Sequence, residues 1–301
     1  MENLCYFVCS RGLLKSCTFR SLNPQSSCNN DIDYLNKMLS SKKMFNGMSI
    51  YVCSELLSFF VLKILPQLKH AFVLVSGDSD LCTPKEALNK NLFLTLTNNA
   101  YLLKWFAQNT QIQNHPKIIQ LPIGLDYHTI SNNKNCGWKK DSEYHLPRHQ
   151  EKILVDIRST MKPFYERSSL IYINFSPHND RFEQRKLALE TIPSHLISIN
   201  QDFIKRSDTW VNITNHAFVL SPFGNGMDCH RTWEALCLGA IPIIKAPNFK
   251  NLFENLPVLI VNEWTDITKE LLDKTIEDFK NRQFNYDKLL LGYWKNMIKY
   301  L

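Results

Sequence analysis

Arg231 and Glu234 stand three residues apart in the segment HRTWEAL, just after a Gly224-Asn225-Gly226 loop. Two glycines let backbone approach a ligand closely, and a helix N-terminus beyond them offers free N–H groups with a partial positive charge. A diphosphate fits such a place, with Arg231 beside it and the Glu234 carboxylate able to accept from a ribose diol. The same two side chains could instead pair with each other on an exposed helix face, an arrangement worth only about 0.2–0.5 kcal/mol. Asp228, just before them, is either part of this site or simply a favourable charge at the helix start. A second cationic candidate is Arg181, in Asn174-Phe175-Ser176-Pro177-His178-Asn179-Asp180-Arg181, with Arg185 one turn later. Side chains able to take a proton occur in two loops, Gly77-Asp78-Ser79-Asp80 and Gly124-Leu125-Asp126-Tyr127-His128. The first of these is also an ordinary turn composition.

The elements that must position these groups read as alternating strands and helices. Ala217–Leu220 is an apolar run suited to a buried strand, Ser221–Gly226 breaks it, and Asp228–Leu238 carries helical spacing. Gly239 is placed to cap that helix before a second buried strand, Ile241–Ile244. Strand, Gly-rich loop, helix and strand make half of a doubly wound nucleotide-binding unit, with its crevice at the strands' carboxyl ends. Upstream, strands are expected at Met48–Cys53, Ala71–Ser76, Leu92–Leu96 and Lys117–Pro122, and helices at Glu55–Leu68, Asn99–Gln108 and Arg148–Met161. Downstream, Leu170–Phe175, Leu196–Ile199 and Val258–Val261 read as strands, Asp180–Leu189 as a helix, and Tyr286–Tyr300 as a closing helix. Residues 10–30 and 131–147 are polar and read as loops. The division that follows is an N-terminal unit over residues 1–160, a nucleotide-binding unit over 161–280 and a last helix over 281–301.

The pattern R-x-x-E-A-L-x-x-G-x-I-P-I after F-V-L-S-P-x-G-N-G resembles the nucleotide-sugar half of exostosin-like glycosyltransferases. The resemblance is firm over roughly residues 170–270, including FKNLFENLPVLIVNEW, and looser at KIIQLPIGLDYHT and the final FNYDKLLLGYW. It implies a GT-B-like α/β fold: two Rossmann-like, doubly wound domains with a cleft between them. It also implies a last helix crossing back onto the first. The implied activity is transfer of a sugar from a nucleotide-sugar, a UDP-sugar above all, to a glycan hydroxyl, inverting and without a metal. No other cofactor is implied. On this reading Arg181, Ser221, Gly224, Asn225, Gly226, Asp228, Arg231 and Glu234 hold the donor. The base that takes the acceptor's proton comes from Asp78 or Asp80, or else from Asp126 or His128. Asp78-Ser79-Asp80 also fits the metal-binding D-x-D of the other large transferase fold, which would not carry its donor signature in a C-terminal strand–GNG–helix unit. A rival from another class is a binding module that keeps the donor pocket and lacks the base. A dinucleotide dehydrogenase is disfavoured, because GNG lacks the third glycine of G-x-G-x-x-G and no acidic residue follows about 20 positions later.

The bulk properties fit an ordinary enzyme. In 301 residues, 44% are hydrophobic and 21% charged, ample for large cores and unlike a disordered chain. The net charge of +7 is spread along the chain, without the aromatic-interleaved basic stripe of a nucleic-acid binder. Nine cysteines form no C-x-x-C and no pairing with histidines at zinc spacing, which points to free thiols in a reducing compartment. The longest apolar stretch, Leu56–Leu65, is too short to span a bilayer, and Met1–Cys9 is neither a signal peptide nor an anchor. Animal exostosin-like enzymes usually carry a Golgi anchor. The expectation here is a cytoplasmic enzyme of microbial or viral origin.

Overall fold

The computed structural model describes residues 2–21, 30–41, 43–132, 146–178, 180–200 and 204–299. Most of the polar segment expected over 131–147, part of 10–30, Asn179, Cys28 and Cys136 lie outside the described residues. Two wholly parallel sheets carry the chain. The first contains β1 (Met48–Cys53), β2 (Phe72–Gly77), β3 (Leu102–Ala107) and β4 (Ile118–Gln120), in that order. The second contains β5 (Ser168–Ile173), β6 (Ile197–Ile199), β7 (His216–Leu220), β8 (Ile241–Ile244) and β9 (Leu259–Ile260), in the order β6-β5-β7-β8-β9. The strand order reverses between β5 and β7. That reversal opens a crevice beyond their carboxyl ends, where doubly wound sheets place their ligands.

β1 and β2 are buried along their whole length, as expected for strands covered on both faces, and alternate residues serve different cores. Tyr51, Val73, Val75 and Phe106 face one apolar cluster, whereas Ile50, Leu74 and Trp105 face another on the outer side of the first sheet. The first cluster is shared between the two units. It also takes in Tyr172 and Val219 from the second sheet, Trp210, Trp233, and Leu13 near the N-terminus. A third cluster, with Phe218, Ile241, Trp264 and Leu272, backs the second sheet. The closing helix is Leu291–Lys299, and it lies against the first unit. There Val8 N–H donates to the Leu289 carbonyl at 2.8 Å, Leu291 N–H donates to the Tyr6 carbonyl at 2.9 Å, and Trp294 joins the shared core.

Two neighbouring elements reverse the sequence reading. Leu92–Leu96, expected as a strand, lies in a helix, Lys90–Thr97, and Asn99–Gln108, expected as a helix, holds β3. Asn89 caps the helix by accepting from Leu92 N–H at 2.9 Å, and the Thr95 and Thr97 hydroxyls return to carbonyls one turn back. Trp105 is held in β3 by packing and by donating from its indole N–H to Ser76 Oγ at 2.8 Å. Short apolar runs fit either period, and pairing between strands decides them. The segment expected as loop over 10–30 contains helix at Ser10–Lys15, and a further helix, Asn30–Leu39, begins at its end. Glu55–Leu68 is helical, with a mixture of pitches from Ser54 to Gln67. No described helix is long and apolar enough to cross a membrane.

Candidate functional site

A cavity of about 470 Å³ lies in the crevice between the units. Its floor comes from the ends of β5 and β7: Asn174 and Phe175 follow the first, and Gly224, Asn225 and Gly226 follow the second. Gly224 N–H donates to the Gly226 carbonyl at 3.0 Å, which folds the loop back on itself ahead of the helix His230–Cys237. A side chain at Gly224 would run into the Arg185 guanidinium, so glycine there makes room for a cation.

Three arginines line the cavity, Arg185, Arg206 and Arg231, and of these Arg185 and Arg231 lie together. Arg185 is fixed by donating to the Phe223 carbonyl at 3.2 Å and the Ser176 carbonyl at 2.9 Å. Both guanidinium carbons sit over the Phe175 ring, at 5.5 Å for Arg185 and 5.0 Å for Arg231. Arg231 Nε and Nη1 are buried with no hydrogen-bond partner among the described residues. Burial pushes its guanidinium down to about 10, and Arg185 adds to that against the opposing pull of Cys229. Arg231 still stays cationic at neutral pH. Two cations with donors to spare, beside a helix N-terminus, form a receptor for an anion.

Glu234, on the same helix as Arg231, does not pair with it. Its Oε1 accepts from Arg206 Nη2 at 2.7 Å and Nε at 3.1 Å, and both side chains are more than nine-tenths buried. Arg206 also donates to Gln150 Oε1 at 2.9 Å and to the Asp126 carbonyl, tying the two units together. Glu234 lines the cavity, and the bonds from Arg206 all go to its Oε1.

Asp228 also binds across the crevice. Its Oδ2 accepts from Ile123 N–H at 2.7 Å, its own N–H donates to Asn109 Oδ1 at 2.9 Å, and Trp233 donates to both carboxylate oxygens at 2.9 and 3.0 Å. Burial raises Asp228 to about 6, against the opposing pull of those donors. Beside it, Asp126 Oδ1 accepts from Thr129 N–H at 2.9 Å and lies 3.2 Å from His128 Nδ1. Burial would raise Asp126, but the surrounding His230, His128 and Arg206 hold it well below the usual carboxylate range.

The expected site residues therefore separate. Asp80, Asp126, Gly224, Asn225, Gly226, Asp228, Arg231 and Glu234 line the cavity, while Asp78, His128, Arg181 and Ser221 are not among its lining residues. Asp78 turns back to Arg11 at 3.4 Å, with its own N–H donating to Gln108 Oε1 at 2.9 Å. Ser221 Oγ meets Thr232 Oγ1 at 2.8 Å inside the second unit. Arg181 reaches across the rim to Glu86 and to the Asp80 carbonyl at 3.4 Å. Among the lining residues that the sequence reading did not select are Arg185, Arg206 and His230. Helical spacing from Arg181 could have brought Arg185 forward. Arg206 carries no local signal.

Burial holds His128 at about 4, with Arg11, Arg206 and His230 pushing the same way against Asp126. Because the unfolded chain binds that proton first, this group's stability is fully present above about pH 6.5 and is lost as pH falls toward 4. Asp228 has the opposite sign: its stability is present at low pH and is lost as pH rises from about 4 to about 6. The two overlap, so a melting curve would blur them. Residue-resolved NMR should find the His128 ring neutral down to about pH 4; a midpoint near 6.5 would contradict its burial.

The sequence matches no protein-family profile and no curated protein. Among the described residues, no group of three or more His, Cys, Asp or Glu side chains is placed to hold a metal ion. Among solved structures, an α1,3-fucosyltransferase crystallised with GDP-fucose superimposes over 95% of this chain and 86% of its own, at 11% identity and a TM-score of 0.35.

Proposed function

We propose that this protein is a glycosyltransferase of the exostosin-like, GT-B kind, moving a sugar from a nucleotide-sugar to a glycan hydroxyl. The observation that carries the reading is the paired Arg185 and Arg231 on the cavity wall, with two Arg231 donors unpartnered, at a topological switch point. A nucleoside diphosphate supplies the charge that this wall lacks. Its phosphates meet the two guanidiniums and the start of the helix His230–Cys237. Its ribose lies against Glu234 Oε2, which Arg206 holds in place through Oε1. As the sugar–phosphate bond breaks, negative charge grows on the leaving diphosphate, where fixed cations and dipoles stabilise it most. The acceptor enters from the first unit, across from the donor, and a UDP-sugar is the donor implied by the family resemblance. The reaction requires no metal when two arginines meet that charge.

A thermal-shift panel of UDP, GDP and their sugar conjugates, with and without EDTA, tests this. A ligand at 100 times its dissociation constant adds about 2.7 kcal/mol, and one nucleotide should raise Tm in both conditions. If no nucleoside diphosphate shifts the melt, the donor site is misread. A shift without release of nucleoside diphosphate from any conjugate would favour a binding module.

A further inference from the structure

His230 is the first residue of the helix His230–Cys237 and lines the cavity between the two units. Its Nδ1 lies 2.7 Å from the Gly124 carbonyl of the first unit. A carbonyl can only accept, so Nδ1 carries the proton and the neutral ring keeps its lone pair on Nε2. The contact fixes both the tautomer and the ring's orientation. We propose that His230 is the general base of the sugar transfer, taking the acceptor hydroxyl's proton on Nε2.

The assignment rests on the transferase reading above. In the step, the acceptor oxygen bonds to the anomeric carbon while its proton passes to Nε2. The bond from that carbon to the diphosphate oxygen breaks, and its electron pair leaves with the diphosphate, facing Arg185 and Arg231. The imidazolium that forms is met by Asp126, a carboxylate within Coulombic reach of the ring.

The other candidates are less suited to the task. Asp126 already accepts from Thr129 N–H and contacts His128, and its low proton affinity makes it a weak base. His128 meets the His230 ring edge-on at 6.0 Å and is not among the lining residues. Asp80 lines the cavity but is an exposed residue.

His230→Asn is the discriminating variant. An asparagine amide can donate to the Gly124 carbonyl in place of Nδ1 while offering nothing in place of Nε2. With water as the acceptor, release of UDP or GDP from the sugar conjugates reads the chemistry without a known glycan. The variant should melt and bind nucleoside diphosphate like the parent and release it at least about 100-fold more slowly. Imidazole should restore release by His230→Ala, whose side chain leaves space for it. Release by His230→Asn at the parent rate would overturn the assignment while leaving the transferase intact, and loss in Asp80→Asn instead would name the base. A parent protein that binds no nucleoside diphosphate would overturn the donor site and His230 with it.

Discussion

Arg206→Leu should lower the melting temperature by on the order of 10 °C, more than any other single change at this site. The substitution leaves the Glu234 carboxylate, less than a tenth exposed, without its cation. It also removes the donor to Gln150 and to the Asp126 carbonyl, where the second unit grips the first. Breaking one side of a buried pair typically costs about 3–5 kcal/mol, because the remaining charge stays dry and unmatched. Removing both charges avoids that cost. Arg206→Leu combined with Glu234→Leu should therefore recover much of the lost stability, although the contact proposed for the ribose stays missing. Calorimetry on the parent, both single variants and the double variant checks this. Additive losses would mean that the pair is not coupled.

Arg231→Ala combined with Arg185→Ala should weaken nucleoside diphosphate binding by roughly two to four orders of magnitude, at about 1.5–3 kcal/mol per charge-assisted contact. The effect on folding stability should be smaller. Arg231 gives up its place over the Phe175 ring, while two of its donors have no partner to lose among the described residues. Arg231→Lys should recover charge but not the fork that grips two phosphate oxygens, leaving an intermediate affinity. Titration calorimetry with UDP and GDP separates the cases. Parent-like affinity in the double variant would remove the phosphate from this wall. Arg181→Ala is the informative contrast: its guanidinium is engaged at the rim with Glu86, so it should affect binding far less.

The strand, loop, helix and strand from Ala217 to Ile244 are legible because parallel strands buried on both faces read as unbroken apolar runs between breakers. The exchange of helix and strand around residues 90–107 is not, because LFLTL and LLKWFA are too short to declare a period. Glu234 is visible as a carboxylate on a helix beside a Gly-rich loop. Its partner is hidden: Arg231 is the neighbour in sequence, but Arg206, 28 residues earlier, reaches it through the fold. The sequence favours Arg181 over Arg185, and the structure puts Arg185 rather than Arg181 on the cavity wall. Only packing shows that Arg185 turns in toward Phe223 and Arg181 turns out toward Glu86.

At the cavity, the second unit meets the first at three consecutive stretches of main chain as well as at side chains. Asp228 holds the Ile123 N–H, His230 the Gly124 carbonyl and Arg206 the Asp126 carbonyl, while the first unit's Glu86, Asn109, Gln120 and Gln150 contribute side chains. The main-chain part of such a junction demands a path of the backbone rather than particular side chains at residues 123, 124 and 126. Gly124 is the fixed point, since its φ of +68° and the closeness of Val8 leave no room for a side chain. Around that point the first unit can exchange residues outside these contacts over evolutionary time, changing what it recognises without retooling the half proposed to hold the phosphates.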